Sequence, residues 1–135
     1  MTQAQEISID NFDERGANEQ GVEIELLTAT NLPTGIHLRV LGEHSEKVSS
    51  HTFRTINTRR RQELANARKG KNADVRPIED DVTLTIDKAV IATIGWRGPK
   101  EPFGEANLRK LLTRNPSFVT QILEASADSA AFTQG

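Results

Sequence analysis

At 135 residues, with 36% hydrophobic residues and a net charge of −2, the chain has the length of one domain and enough apolar surface for a modest core. It has no Cys and no Tyr, which excludes disulfide scaffolds, thiolate metal sites and cysteine catalysis. No apolar run approaches the ~20 residues of a membrane span, and the polar, acidic start is unlike a signal peptide, so a soluble, cytoplasmic protein is expected.

Charge is unevenly spread along the chain. Residues 1–46 carry nine acids against two bases, and residues 47–76 carry nine bases against two acids. Such a chain can pair with itself, with its own copies or with partners of either sign.

Residues 1–20 are polar, with a brief Ile7/Ile9 alternation and no sustained period, and are expected to be a mobile segment. A single domain over 21–132 follows. Val22, Ile24 and Leu26 alternate with acids, as do Ile36, Leu38 and Val40 with polar residues, and between them Asn31-Leu32-Pro33-Thr34-Gly35 carries turn chemistry. These two runs predict an antiparallel β-hairpin over 22–40, whose apolar face needs cover. Ser45 can cap a central helix over 45–69, with Arg68 and Lys69 at its negative end and Gly70 just beyond. Val48, Phe53, Ile56, Leu64 and Ala67 give that helix one broad stripe. Residues 70–77 read as a loop.

The next element fits two periods. Val82, Leu84 and Ile86 alternate like a strand, while Val82, Ile86, Val90 and Ile94 fit a helix. The acidic Glu79-Asp80-Asp81 after Pro77 favours a helix over 78–94. Gly95-Trp96-Arg97-Gly98-Pro99 then breaks the chain. Two short helices follow: one over 105–113 with Leu108, Leu111 and Leu112 inward, and one opened by Pro116 with Phe118, Ile122 and Ala125. The C-terminal helices are placed within 78–131. The expected fold is α+β: a mostly helical single domain with an N-terminal antiparallel β-hairpin.

Chemistry-bearing motifs are scarce. His44 and His51 stand seven apart, too sparse for a metal site, and no HExxH occurs. There is no P-loop, GxGxxG or GxSxG, and no His follows residue 51 to serve a serine. The three acids at 79–81 read as partners of a helix dipole, not as magnesium ligands. No catalytic, cofactor-binding or metal residue is assigned, and the protein is expected not to be an enzyme. Arg59-Arg60-Arg61, with Arg54, Arg68, Lys69 and Lys71, is the sharpest charge feature. As no aromatic interleaves it for base stacking, it reads as a solvated helix flank pairing with acidic surfaces, and nucleic-acid binding is not expected. Trp96 is the sole Trp, either a core plug or an interface anchor. With six aromatics in the chain, burial is the expected fate of the largest.

The stretch from Gly95 to Phe132 resembles the carboxy-terminal half of tail assembly chaperones of tailed bacteriophages. The pattern is a Trp, a short turn, and Pro-Phe leading into a helix with Asn and paired leucines. A Pro-started helix with a central Ile follows, and a Phe closes it. Here the residues are Trp96, Arg97, Pro102, Phe103, Asn107, Leu111, Leu112, Pro116, Ile122 and Phe132. Residues 32–45 (LPTGIHLRVLGEHS) are similar to the amino-terminal signature, and the two stretches cover roughly 50 residues. Gly104 stands where relatives often carry a Ser or Thr cap.

The resemblance implies a non-enzymatic protein of the host cytoplasm. It would bind the tape measure protein and tail tube subunits during tail assembly, be absent from the finished virion, and be the shorter of two frameshift-related products. An Ala-rich stripe over 119–131 offers a face for a partner helix or for internal packing. Homo-oligomers are compatible with this, and no membrane or cofactor is implied. The alternatives are a structural tail-completion or connector protein of the virion, and a small nucleic-acid-binding regulator.

Overall fold

A computed structural model describes residues 7–68, 78–128 and 132. The fold is α+β and mostly helical. A 3-10 turn at Ile9–Asn11 precedes α1 (Glu14–Gln20), β1 (Val22–Leu27), β2 (Pro33–Val40), α2 (Glu46–Arg68), α3 (Ile78–Ala92), β3 (Thr93–Arg97), α4 (Glu105–Arg114) and α5 (Pro116–Ala127).

The expected hairpin forms, with Ile24 opposite Leu38 and Val22 opposite Val40. Its turn lies earlier than Pro33-Gly35. Asn31 takes the left-handed conformation (φ 65°), the Thr28 amide donates to the Leu32 carbonyl at 2.8 Å, and Pro33 already belongs to β2. Asn tolerates positive φ better than other side-chain-bearing residues, so it sets the corner.

The sheet is not a hairpin alone. β3 pairs antiparallel with β2, giving the order β1-β2-β3. The helix expected over 78–94 ends at Ala92, and the next residue begins the strand. The switch needs no glycine: the Leu41 amide donates to the Ala92 carbonyl at 2.7 Å, and the Thr93 hydroxyl donates to the Ala89 carbonyl at 2.9 Å. Two free ends of the helix ladder are thus satisfied while the chain straightens.

One sheet face carries the polar side chains of Glu23, Glu25, His37 and Arg97. The other buries Leu26, Leu38 and Val40 against Ala89 and Ala92 of α3, Leu108 and Leu112 of α4, and Phe118 and Ile122 of α5. This is the alternation of a sheet with one covered face. The stripe at 119–131 is internal packing where it is described, since Val119, Ile122 and Ser126 are buried.

Side chains lock the layers together. Gln121 of α5 accepts from the Leu27 amide at 2.8 Å and donates to its carbonyl at 2.9 Å, at the irregular end of β1. The Ser126 hydroxyl donates to the Leu41 carbonyl at 2.8 Å. Arg109 joins α4 to Asp87 of α3 at 2.7 Å.

Two expectations are corrected. Within the segment set apart at 1–20, residues 14–20 are helical: Asp13 caps α1 by accepting from the Gly16 amide at 2.8 Å. Buried Asn18 fixes α1 to the chain after β2, taking the His44 amide on its side chain (3.1 Å) and the Gly42 amide on its carbonyl (2.9 Å). The second correction concerns α2. It spans almost the expected range, and Ser45 caps it by accepting from the Val48 amide at 3.3 Å, but of its apolar stripe only Val48 is buried. Phe53, Ile56 and Leu64 are exposed, because α2 turns its polar side toward α3. The loop expected at 70–77 and the helix end at Lys69-Gly70 lie outside the described residues.

Candidate functional site

The carboxy-terminal residues singled out in the sequence divide by location. Leu112, Ile122 and Phe132 are buried and build the core. Arg97 sits on the polar sheet face, where its Nε donates to Glu23 at 2.5 Å. Trp96, Pro102, Phe103, Asn107 and Leu111 gather beside β3 and α4.

β3 brings Trp96 opposite Leu38 of β2, on the side of the sheet that the helices cover. The indole is half-buried, not the sealed plug expected of the largest aromatic. Its Nε1 donates to the Glu101 carbonyl at 3.1 Å, and its ring meets Phe103 edge to face, with centroids 5.5 Å apart at 79°. That geometry sets the electropositive edge of one ring against the face of the other. Asn107 of α4 donates to the Pro102 carbonyl at 2.9 Å, fixing the turn that carries Phe103. Gly98 permits the approach: its φ is 114°, and a Cβ there would run into the Gly35 carbonyl of β2. Gly104 caps α4 from an extended conformation without a side-chain bond.

These residues border an open cleft of about 370 Å³ between the sheet and α4. Ile36, Trp96, Pro99 and Leu111 supply its apolar lining, and Lys110 and Arg114 its positive charge, against one acid among the described residues, Glu101. Ile36 and Pro99 were expected only as a strand and a turn residue, and nothing in the sequence marks Lys110 or Arg114. Only the β2–β3 pairing and the turn into α4 assemble the four at the cleft.

The other candidates do not converge. His37 lies between Glu23 and Glu25 at 3.6 and 3.5 Å on the polar sheet face. His44 precedes α2 and is exposed, whereas His51 lies within it. Burial holds the His51 imidazole below its ordinary value; Asp87 opposes this, and Arg54 and Lys88 add to it. Among the described residues no group of three His, Cys, Asp or Glu side chains is placed to hold a metal ion, and no helix is long and apolar enough to cross a membrane. Arg59, of the basic block, pairs with Asp81 of α3 at 3.1 Å. Comparison with protein-family models, curated proteins and solved structures finds no match to the chain.

Proposed function

We propose that this chain is a non-enzymatic tail assembly chaperone, which binds the tape measure protein and tail tube subunits in the host cytoplasm during tail morphogenesis. The observation that carries the reading is the cleft at Trp96. Three residues of the family-like pattern, Trp96, Asn107 and Leu111, line it, with Phe103 packed on the Trp ring. A half-buried Trp beside a leucine, with basic side chains at hand, suits the apolar face of an amphipathic helix bearing acidic flanks. A tape measure protein presents long helices of that kind.

Co-expression with the tape measure protein of the same genome tests this. The chain should keep it soluble, and Lys110→Glu/Arg114→Glu and Trp96→Ala should weaken that effect while circular dichroism shows a folded protein. A tape measure equally insoluble with and without the chain would overturn the proposal. Purified virions separate the closest alternative: a chaperone is absent by mass spectrometry, and a stoichiometric amount would identify a structural tail component instead.

A further inference from the structure

α2 packs on α3 through a polar side. At ~100° per residue, His51, Thr52, Thr55, Arg59, Gln62 and Asn66 share that side. Its hydroxyls are already satisfied within the helix, since Thr52 donates to the Val48 carbonyl at 3.0 Å and Thr55 to the His51 carbonyl at 2.9 Å. The far side carries Phe53, Arg60, Leu64 and Ala67, and Ile56 borders it at the edge of the groove to α3, all within an arc of about 80°. Phe53 is 63% exposed and Leu64 61%, and Arg54, Arg61 and Arg68 run along one edge of the stripe. A helix that turns polar groups to its neighbour and large apolar ones to water is short of a partner.

A second surface of the same kind lies at the other end of the chain. Ile7, Ile9 and Phe12 are exposed, Ile9 at 88% and Phe12 at 72%, and they are interleaved with Asp10, Asp13 and Glu14. Six of the ten large exposed hydrophobic residues among those described lie in these two places, one flanked by arginines and the other by acids. We propose that the acidic segment 7–14 of one copy of this chain docks on the apolar, arginine-edged stripe of α2 in a second copy.

The dimensions agree. Extended, Ile7 to Phe12 spans about 17 Å, and Phe53 to Leu64 along the helix axis covers about the same. Extending the segment costs a single 3-10 turn, held by the Asn11 and Phe12 amides donating to the Ser8 and Ile9 carbonyls at 3.1 and 3.2 Å and by Ser8 accepting from the Asp10 amide at 3.2 Å. α1 remains seated through Asn18, so residue 14 is a fixed root for the segment. The occupant is a second copy because within one copy both surfaces stay exposed, while their charges are opposite. A reciprocal pair buries twelve large apolar side chains, roughly 1,200 Å² in all, the lower end of a specific interface. The contact is then isologous, each copy giving its segment and receiving the other's.

Analytical ultracentrifugation of the full chain tests this. A concentration-dependent dimer is expected that weakens at least about tenfold between ~0.1 and ~1 M salt, as charges are screened. Ile9→Ser/Phe12→Ser and Phe53→Ser/Leu64→Ser should each abolish it, and at concentrations where the parent is monomeric neither should change the melting curve, all four residues being exposed. Asp10→Lys/Glu14→Lys and Arg60→Glu/Arg61→Glu should each be monomeric alone and should form a heterodimer when mixed. A monomer at all accessible concentrations overturns the proposal. So does a dimer lost with the α2 variant but kept with the segment variant, since the stripe then receives something else. Cross-linking of segment to α2 within single chains, independent of concentration, overturns it in favour of docking inside one molecule.

Discussion

Gln121 makes both bonds of a strand partner with one side chain, closing the irregular end of β1, beside which no fourth strand stands among the described residues. Truncation leaves the Leu27 amide and carbonyl without protein partners in a half-buried place. Gln121→Ala should therefore cost about 2 kcal/mol, read as a shifted urea midpoint with unchanged slope. His51 gives a second residue-scale effect. Its folded value lies below 6.5, so the unfolded chain takes the proton more readily. The stability it contributes is complete above the unfolded value and is lost as pH falls through the depressed folded one. The melting temperature should drop between about pH 7.5 and about pH 5.5, and His51→Gln should flatten part of that slope. A parallel slope in both proteins would remove His51 as the cause.

At the scale of elements, α4 starts at a position with room for improvement. Gly104 is extended, makes no capping bond and has nothing within 4 Å of where a Cβ would stand. Gly104→Ser should let a hydroxyl accept from the first-turn amides and raise stability by about 0.5 kcal/mol, a rise of about 2 °C in melting temperature. A fall would mean the chain before α4 relies on glycine after all. The elements also show what the sequence could reveal. The hairpin and α5 were legible because their periods agree with their burial. β3 was not: Val90, Ile91 and Ile94 continue the helical period of α3, and a five-residue strand containing Gly95 has no pattern of its own. It forms because β2 offers a free edge. α1 was missed because its hold on the fold is the polar Asn18, invisible to any hydrophobic count. On α2 the expected stripe joined Val48 to Phe53, Ile56, Leu64 and Ala67, but at ~100° per residue Val48 shares the side of Thr52, Thr55 and Arg59. It is buried, whereas Phe53, Ile56 and Leu64 are exposed, for a period shows that a face is apolar and not what covers it. The site followed the same rule. Trp96, Asn107 and Leu111 were found by resemblance, whereas Ile36 and Arg114 join them only through tertiary pairing.

Across the whole molecule, the core and the α2–α3 pair differ in what holds them. The sheet, α4 and α5 share a continuous apolar cluster around Leu38, Leu112 and Ile122. Beyond Val48, α2 has no buried apolar side chain, and its tie to α3 includes an exposed ion pair between Arg59 and Asp81, worth at most about 1 kcal/mol. Apolar burial is the main term opposing local opening, so stability should fall away along α2 from its capped start at Ser45. In dilute solution, where copies are apart, amides of residues 57–66 should exchange at least about 100-fold faster than those of Leu38, Val40 and Ile122. Exchange would then be slowed at high protein concentration if a second copy covers the stripe, because opening must first release it. Equal protection of α2 and β2 in dilute solution would show that the polar α2–α3 contact holds as firmly as the core. The apolar stripe would then be carried on a rigid helix, not on one that docking has to order.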